Sequence, residues 1–293
     1  MGKYHFMRLT ITFLLCAGTL AAAAQPKSVT QATITTKTTI VSLDGEQSQS
    51  GITQSSGEGG VNTVRIRMDD AGETVSKTYL KDHLVKTQVD NNMGRTTTIR
   101  DNKAKMTTTL MEIMGTKRGF YATDEDQAEM SKRMDSLTRA GGAAQAAPAM
   151  PPVIQVFYRD EAKTIAGYNC KKAVVHITKS TGEVDSSVVW YNTDIKLEGL
   201  QSTGGAGGGF MSFRRNNNAD ILGRIKGFPM QYEMKLGRNR SMTVEVTKLD
   251  IEKEIKDAEF EISKDYDVKP AKEMQGPGGG MQIRIGGPGG GGH

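Results

Sequence analysis

The sequence predicts an α+β fold that is mostly antiparallel β-sheet, with one or a few helices. Three observations predict it. The chain of 293 residues is 37% hydrophobic but only 6% aromatic and carries 34 glycines, a poor composition for an all-helical bundle. Its aliphatic residues are spread through threonine-rich stretches, which suit the pleated, half-buried surface of a strand. One segment, opened by Thr123, has the spacing of an amphipathic helix. The length allows one large domain or two modest ones.

The first element is a leader. Lys3 and Arg8 precede an apolar run from Leu9 to Leu20, which ends in Ala21–Ala24 before Gln25 and Pro26. A cationic start, an apolar centre and small residues at the end are the parts of a secretory signal peptide, so residues 1–24 are expected to be removed on export. The run is shorter than the roughly 20 apolar residues that a membrane span needs. No later stretch resembles one, so no transmembrane segment is expected after cleavage. Cys170 is then the only cysteine left, which excludes a disulfide within one mature chain. Its apolar-alternating surroundings, Tyr168 to Ile177, suit a buried, inert thiol.

Strands follow in order. Ser28 to Ser42 is Thr-rich and β-prone, as in Thr33 to Val41, and is followed by Asp44-Gly45 and a polar loop through Gly60. Val64, Ile66 and Met68 alternate with Arg65, Arg67 and Asp69, the period of a strand with one wet face. Thr74–Leu80, Leu84–Val89, Thr96–Arg100 and Lys105–Met111 are further strands, separated by Asn, Asp or Gly. A long antiparallel meander fits them. Thr123 then caps a helix with Asp126 as its reciprocal partner. Met130, Met134 and Leu137 form its apolar stripe, and Gly141-Gly142 stops it. Residues 143–152, rich in Pro and Ala, form a linker that is read as a crossover within one sheet. Beyond it lie Val153–Tyr158, a turn at Gly167, and a hairpin of Cys170–Thr178 with Val184–Tyr191 about Thr181-Gly182. Ile221–Ile225, Met230–Leu236 and Met242–Leu249 are further strands, and Phe260 to Ile262 is a short final edge. Thus 25–272 reads as a single β-rich domain with a Gly-rich loop at 202–209. Residues 273–293 read as a Gly/Pro-rich tail whose composition is that of a disordered segment.

Motifs for chemistry are sparse. The net charge of +5 includes Lys3 and Arg8 of the leader. Positive residues are interleaved with carboxylates, so no nucleic-acid partner is expected. His83, His176 and His293 lack a second ligand at metal spacing. Gly204–Gly209 has no following Lys-Ser or Lys-Thr and no helix to hold a phosphate. No cofactor, metal or catalytic residue is assigned. The 16 methionines stand out, because flexible thioethers either fill irregular core space or line a cavity for acyl chains of variable shape.

The run Lys163-Thr164-Ile165-Ala166-Gly167-Tyr168-Asn169-Cys170-Lys171-Lys172-Ala173, with Val188-Val189-Trp190-Tyr191-Asn192-Thr193-Asp194, resembles a signature of secreted Gram-negative proteins grouped as domain of unknown function 4412. More distantly, the chain is similar to the GLPGLI family. Lys226-Gly227-Phe228-Pro229-Met230 and Phe260-Glu261-Ile262 with Tyr266 extend the likeness, over about Gln155 to Lys269. The resemblance implies a fold of the LolA/LolB lipoprotein-carrier type, a curved half-barrel of antiparallel sheet around an apolar hollow, and brings no catalytic residues. Its implied function is non-enzymatic binding of a lipid, a lipoprotein acyl chain or another apolar ligand in that cavity, in the periplasm or at the cell surface. Met111, Met130, Met134, Leu137, Trp190, Met230 and Met234 are the expected lining. The competing expectation is an envelope scaffold that meets a protein partner through its Gly-rich tail and loop.

Overall fold

The computed structural model describes residues 27–42, 52–56, 62–66, 72–91, 94–140, 152–200, 222–236 and 240–274. Sixteen strands and one α-helix occur among them. They are β1 (Lys27–Val29), β2 (Gln31–Ser42), β3 (Ile52–Ser56), β4 (Asn62–Ile66), β5 (Gly72–Lys81), β6 (Leu84–Asn91), β7 (Gly94–Asp101), β8 (Met106–Ile113) and β9 (Thr116–Thr123). After α1 (Asp124–Ala140) come β10 (Val153–Ile165), β11 (Tyr168–Thr178), β12 (Val184–Asn192), β13 (Ile195–Leu197), β14 (Phe228–Leu236), β15 (Arg240–Asp250) and β16 (Asp267–Pro270).

Twelve strands form one sheet in the order β10-β11-β12-β14-β15-β2-β5-β6-β7-β8-β9-β16. Every pairing in it is antiparallel except the last, β9 with β16. The meander is therefore present, and β2 joins it to β15, so the segments before and after 143–152 share one sheet. Two-residue turns make this possible. At Ala166-Gly167 both residues have positive φ, 49° and 86°, the twist that lets Ile165 pair directly with Tyr168. Residues 143–151, 201–221 and 275–293, and with them the Gly-rich loop and nearly all of the tail, lie outside the described residues.

Alternation assigns two faces. Along β2, Ala32, Ile34 and Thr36 are buried while their neighbours are half-buried. The pairing carries this inner face through Tyr232, Met234, Met242, Val244 and Val246 on one side and through Leu80 and Val85 on the other. The apolar residues of this face form one core with Val189, Tyr191, Ala173 and Val175, joined by Ile195 and Leu197 of β13, Phe228 of β14, and Leu200 and Ile225 from connecting segments. Each large side chain so buried stabilises the fold by about 1.5–3 kcal/mol. Residues 222–225 belong to a helical turn, where the sequence pattern predicts a strand. Leu222 and Ile225 still pack on the core.

Toward β9 the inner face changes character. Thr78, Thr87, Thr98 and Thr109 stand opposite one another on four neighbouring strands, and the Thr78 and Thr87 hydroxyls are 3.1 Å apart. Cross-strand threonine pairs stabilise a sheet through packing of methyl groups and hydroxyl bonding. Arg100 shares this face and makes two bonds to Asp124, at 2.6 and 2.9 Å. Asp124 opens α1, whose start is closed by the expected box. Asp126 N–H donates to Thr123 Oγ1 at 3.1 Å, and Thr123 N–H donates to Asp126 Oδ2 at 3.0 Å.

The outer face near β9 is covered by residues 251–274. Lys81 Nζ reaches the Ile255 carbonyl at 2.9 Å and Asp257 at 2.5 Å. Lys86 Nζ donates to the Glu259 carbonyl at 2.6 Å, Lys117 Nζ to Asp265 at 2.5 Å, and Lys272 lies 3.2 Å from Asp126. Ile255 and Phe260 are buried in this strap, as are Ile99 and Leu110 on the sheet. Gly119 leaves the space that Leu110 and Val268 need, since a Cβ there would stand 2.6 Å from Leu110 Cδ2 and 3.1 Å from Val268 Cγ2. The final edge is thus β16. Phe260, expected in that edge, ends a 3-10 helix, Asp257–Phe260.

Candidate functional site

The residues expected to line a cavity do not share one environment. Met230 and Met234 are 0% and 5% exposed, inside the main core beside Tyr232 and Met242. Met111 lies on the inner face opposite Thr96 and is half-buried. Met130 is half-buried on α1. Met134 and Leu137 belong to α1, but their side chains lie outside the described residues. Trp190 alternates with the buried Val189 and Tyr191, and the register sets it opposite Lys172 and Gln231. It therefore belongs to the outer face.

Around Trp190 that outer face is a row of polar side chains. Lys172, Trp190, Gln231, Glu245 and Lys37 face one another across β11, β12, β14, β15 and β2. Lys163 Nζ lies 4.5 Å and Lys172 Nζ 5.8 Å from the centre of the indole, so two ammonium groups stand within reach of the ring's negative face density. Lys163 also donates to Gln231 Oε1, and Gln231 Nε2 donates to Glu245 at 3.2 Å. Lys172 pairs with Glu161 at 2.8 Å and Lys37 with Glu73 at 2.5 Å. Phe157 and His176 rings meet at 4.9 Å on the same face. Such a surface offers hydrogen-bonding charge and aromatic area to an extended partner.

The titrating groups are explained by structure. Burial pushes the Cys170 thiol up, and its Sγ lies 3.4 Å from the Tyr168 carbonyl. A thiol kept protonated is a poor nucleophile. Burial likewise raises Tyr232, Tyr191 and Tyr168. The Arg100 guanidinium lowers Asp124. Among the described residues no group of three or more His, Cys, Asp or Glu could hold a metal ion, and no helix is long and apolar enough to cross a membrane.

The sheet also ends in an edge. β10 is its outermost strand, and among the described residues no strand pairs with its outer side, while Arg224 Nη1 donates to the Ile154 carbonyl at 3.3 Å. Val153, Phe157 and Tyr158 are exposed there, at 59%, 38% and 38%. Tyr158 packs edge-on against Tyr191 at 5.6 Å, and its hydroxyl donates to the Arg224 carbonyl at 3.2 Å.

No family model matches the chain. No curated protein matches it either. Among solved structures it is similar to the one described as "Structure of PNGF-II in C2 space group", at 12% identity and a TM-score of 0.35, over 83% of this chain. The chain spans about a third, 32%, of that protein's length. A likeness so slight leaves the residues themselves as the basis for a functional reading.

Sequence reasoning reached Trp190 but not its setting. Alternation in Val189-Trp190-Tyr191 already shows that the indole and the phenol leave on opposite faces. Lys163 comes from a stretch rich in charge that carries no strand signal, and the lysines that hold the strap meet partners more than 140 residues away, so no local pattern marks them.

Proposed function

We propose that the protein is an exported interaction scaffold of the cell envelope, working through the outer face around Trp190, the β10 edge and the segments beyond the sheet. The observation that carries this reading is the state of the inner face. Met230, Tyr232, Met242, Val244 and Val246 are each at most 2% exposed, so the apolar side of the sheet from β12 to β2 is filled by the chain's own side chains, whereas its other side is wet and charged. A guest in that space would have to displace close-packed atoms, each buried methylene of which is worth about 0.8 kcal/mol. Export is part of the same proposal and rests on Lys3, Arg8 and the apolar run that follows.

One observation favours the carrier instead. Val89, Thr96 and Met111 form an inner-face row and are all half-buried, so some apolar surface remains at the margin of the core. A delipidated sample titrated with a fluorescent fatty acid separates the two. The scaffold predicts no saturable uptake, together with capture of envelope material that is lost when residues 276–293 are removed. Saturable uptake near one probe per chain would establish the carrier.

A further inference from the structure

We propose that the free edge of β10 is the docking site for residues 281–285 of a second copy of this chain, donated as an added strand. The proposal deepens the scaffold reading, on which it rests, by naming the partner. An outermost strand offers unpaired backbone groups, and proteins guard such edges with charge, proline or bulges. β10 is guarded over one half only. Its second half carries Arg159, Asp160, Glu161 and Lys163, with a register break between Arg159 and Ala162. Its first half, Val153-Ile154-Gln155-Val156-Phe157-Tyr158, has no charge and no break. The other end of the sheet differs, because β16 is four residues long and finishes at Pro270.

The occupant is chosen by pattern. Met281-Gln282-Ile283-Arg284-Ile285 alternates apolar and polar residues, between Gly276-Pro277-Gly278-Gly279-Gly280 and Gly286-Gly287-Pro288-Gly289. Five residues of strand period on glycine leashes bury too little alone and gain a ladder only on another sheet. Laid antiparallel with Ile283 opposite Val156, Met281 and Ile285 extend the inner-face positions of Tyr158 and Ile154. Gln282 and Arg284 then extend the outer-face positions of Phe157 and Gln155. A shift of one residue would reverse both matches.

Separation in the strand order favours a second copy as the donor. Residues 275–280 extend to at most about 21 Å. β16 and β10 are the first and last strands of the twelve, and eleven spacings of ~4.8 Å amount to about 53 Å along the sheet. A tail that docks on a different surface of the next molecule makes a heterologous contact, which closes into a ring or propagates as an open chain.

Sedimentation velocity on the purified chain from Gln25 to His293 tests this. Mean mass is expected to rise with concentration, and to stay at one chain both for protein ending at Gln275 and for the full-length Ile283→Pro variant. That substitution lies beyond the described fold and removes the central N–H of the donor. A labelled peptide of residues 276–293 is expected to bind the shortened protein saturably, and its Ile283→Pro form on the order of tenfold more weakly. Hydrogen exchange then slows within 153–158 and not within 267–270. A mass independent of concentration, an absence of saturable peptide binding, or protection at 267–270 in place of 153–158 would each overturn the proposal. Fatty-acid uptake and envelope capture are read on other samples, so the scaffold reading stands or falls separately.

Discussion

The two halves of the large sheet solve the same problem differently. From β10 to β15 the strands bury one apolar face in the main core and leave the other wet, with Met230, Val244 and Val246 fully buried and Lys172, Trp190, Gln231 and Glu245 on the opposite side. In β7 and β8, by contrast, both faces are covered, although the outer face of β5 stays open at Val75. Four consecutive residues of β7, Thr97 to Arg100, are buried, as are four of β8, Thr107 to Leu110. Here the inner face is a threonine ladder and the outer face lies beneath a strap latched by lysines. One half is held by apolar area and the other by hydroxyls, ion pairs and a covering segment, so the two should fail under different insults.

The largest contrast is expected in the cores. Met230→Ala removes a fully buried side chain and should cost about 2–5 kcal/mol, read as a fall in the urea midpoint. Thr98→Ala in the ladder should cost about 1 kcal/mol or less, since it loses one hydroxyl contact and one methyl. Equal losses at the two positions would show that the halves are not different in kind.

Asp124→Asn should come next. Arg100 is 11% exposed at its side chain, whereas Asp124 is 49% exposed, so solvent screens part of the pair and about 1 kcal/mol is expected. The amide retains one acceptor for the guanidinium, and α1 loses a charge at its positive end. Far-ultraviolet circular dichroism during urea unfolding reads the change.

How far the sequence foretells these differences depends on where the covering atoms come from. Strands with one wet face show it in alternation, and β2, β11, β12 and β15 lie close to their expected places. The capping pair Thr123 and Asp126 is equally local. By contrast β9, Thr116-Lys117-Arg118-Gly119-Phe120-Tyr121-Ala122-Thr123, has no period of two in its apolar residues. It is a strand because β8 pairs on one side and β16 on the other. β10 runs seven residues past its expected end, since a bulged edge tolerates charges that a central strand would not. The methionines were legible as apolar, but no sequence pattern distinguishes a thioether that fills a core from one that lines a hollow.

Acid should loosen the strap before it reaches the main core. Lys117 and Ser263 hold Asp265 down to about 2, from an ordinary 3.8, and Asp126 is lowered by Thr123 and then by Lys272. A carboxylate depressed in the folded state contributes stability that is complete above its unfolded value and is lost as pH falls toward the folded one. Between pH 4 and about 2, hydrogen exchange within 255–274 should therefore accelerate while that of β14 and β15 does not. Added salt should shift the same exchange upward, because the latches at Asp257, Glu259 and Asp265 are exposed to solvent. Simultaneous loss of protection in the strap and in β14 would remove the distinction between the halves.

The smallest effect is expected on the wet face. The chain has a single tryptophan, and Lys163 Nζ stands 4.5 Å from the centre of its ring. Lys163→Met keeps an unbranched apolar stem of similar length but removes the cation, so it should cost about 0.5–1 kcal/mol. The indole would lose its nearer charged neighbour while Lys172 stays 5.8 Å from the ring centre. A change in Trp190 emission with a fall in the urea midpoint well below that of Met230→Ala is the result that fits a surface kept for contact. A loss as large as that of Met230→Ala would instead make Trp190 and its lysines part of what holds the half together.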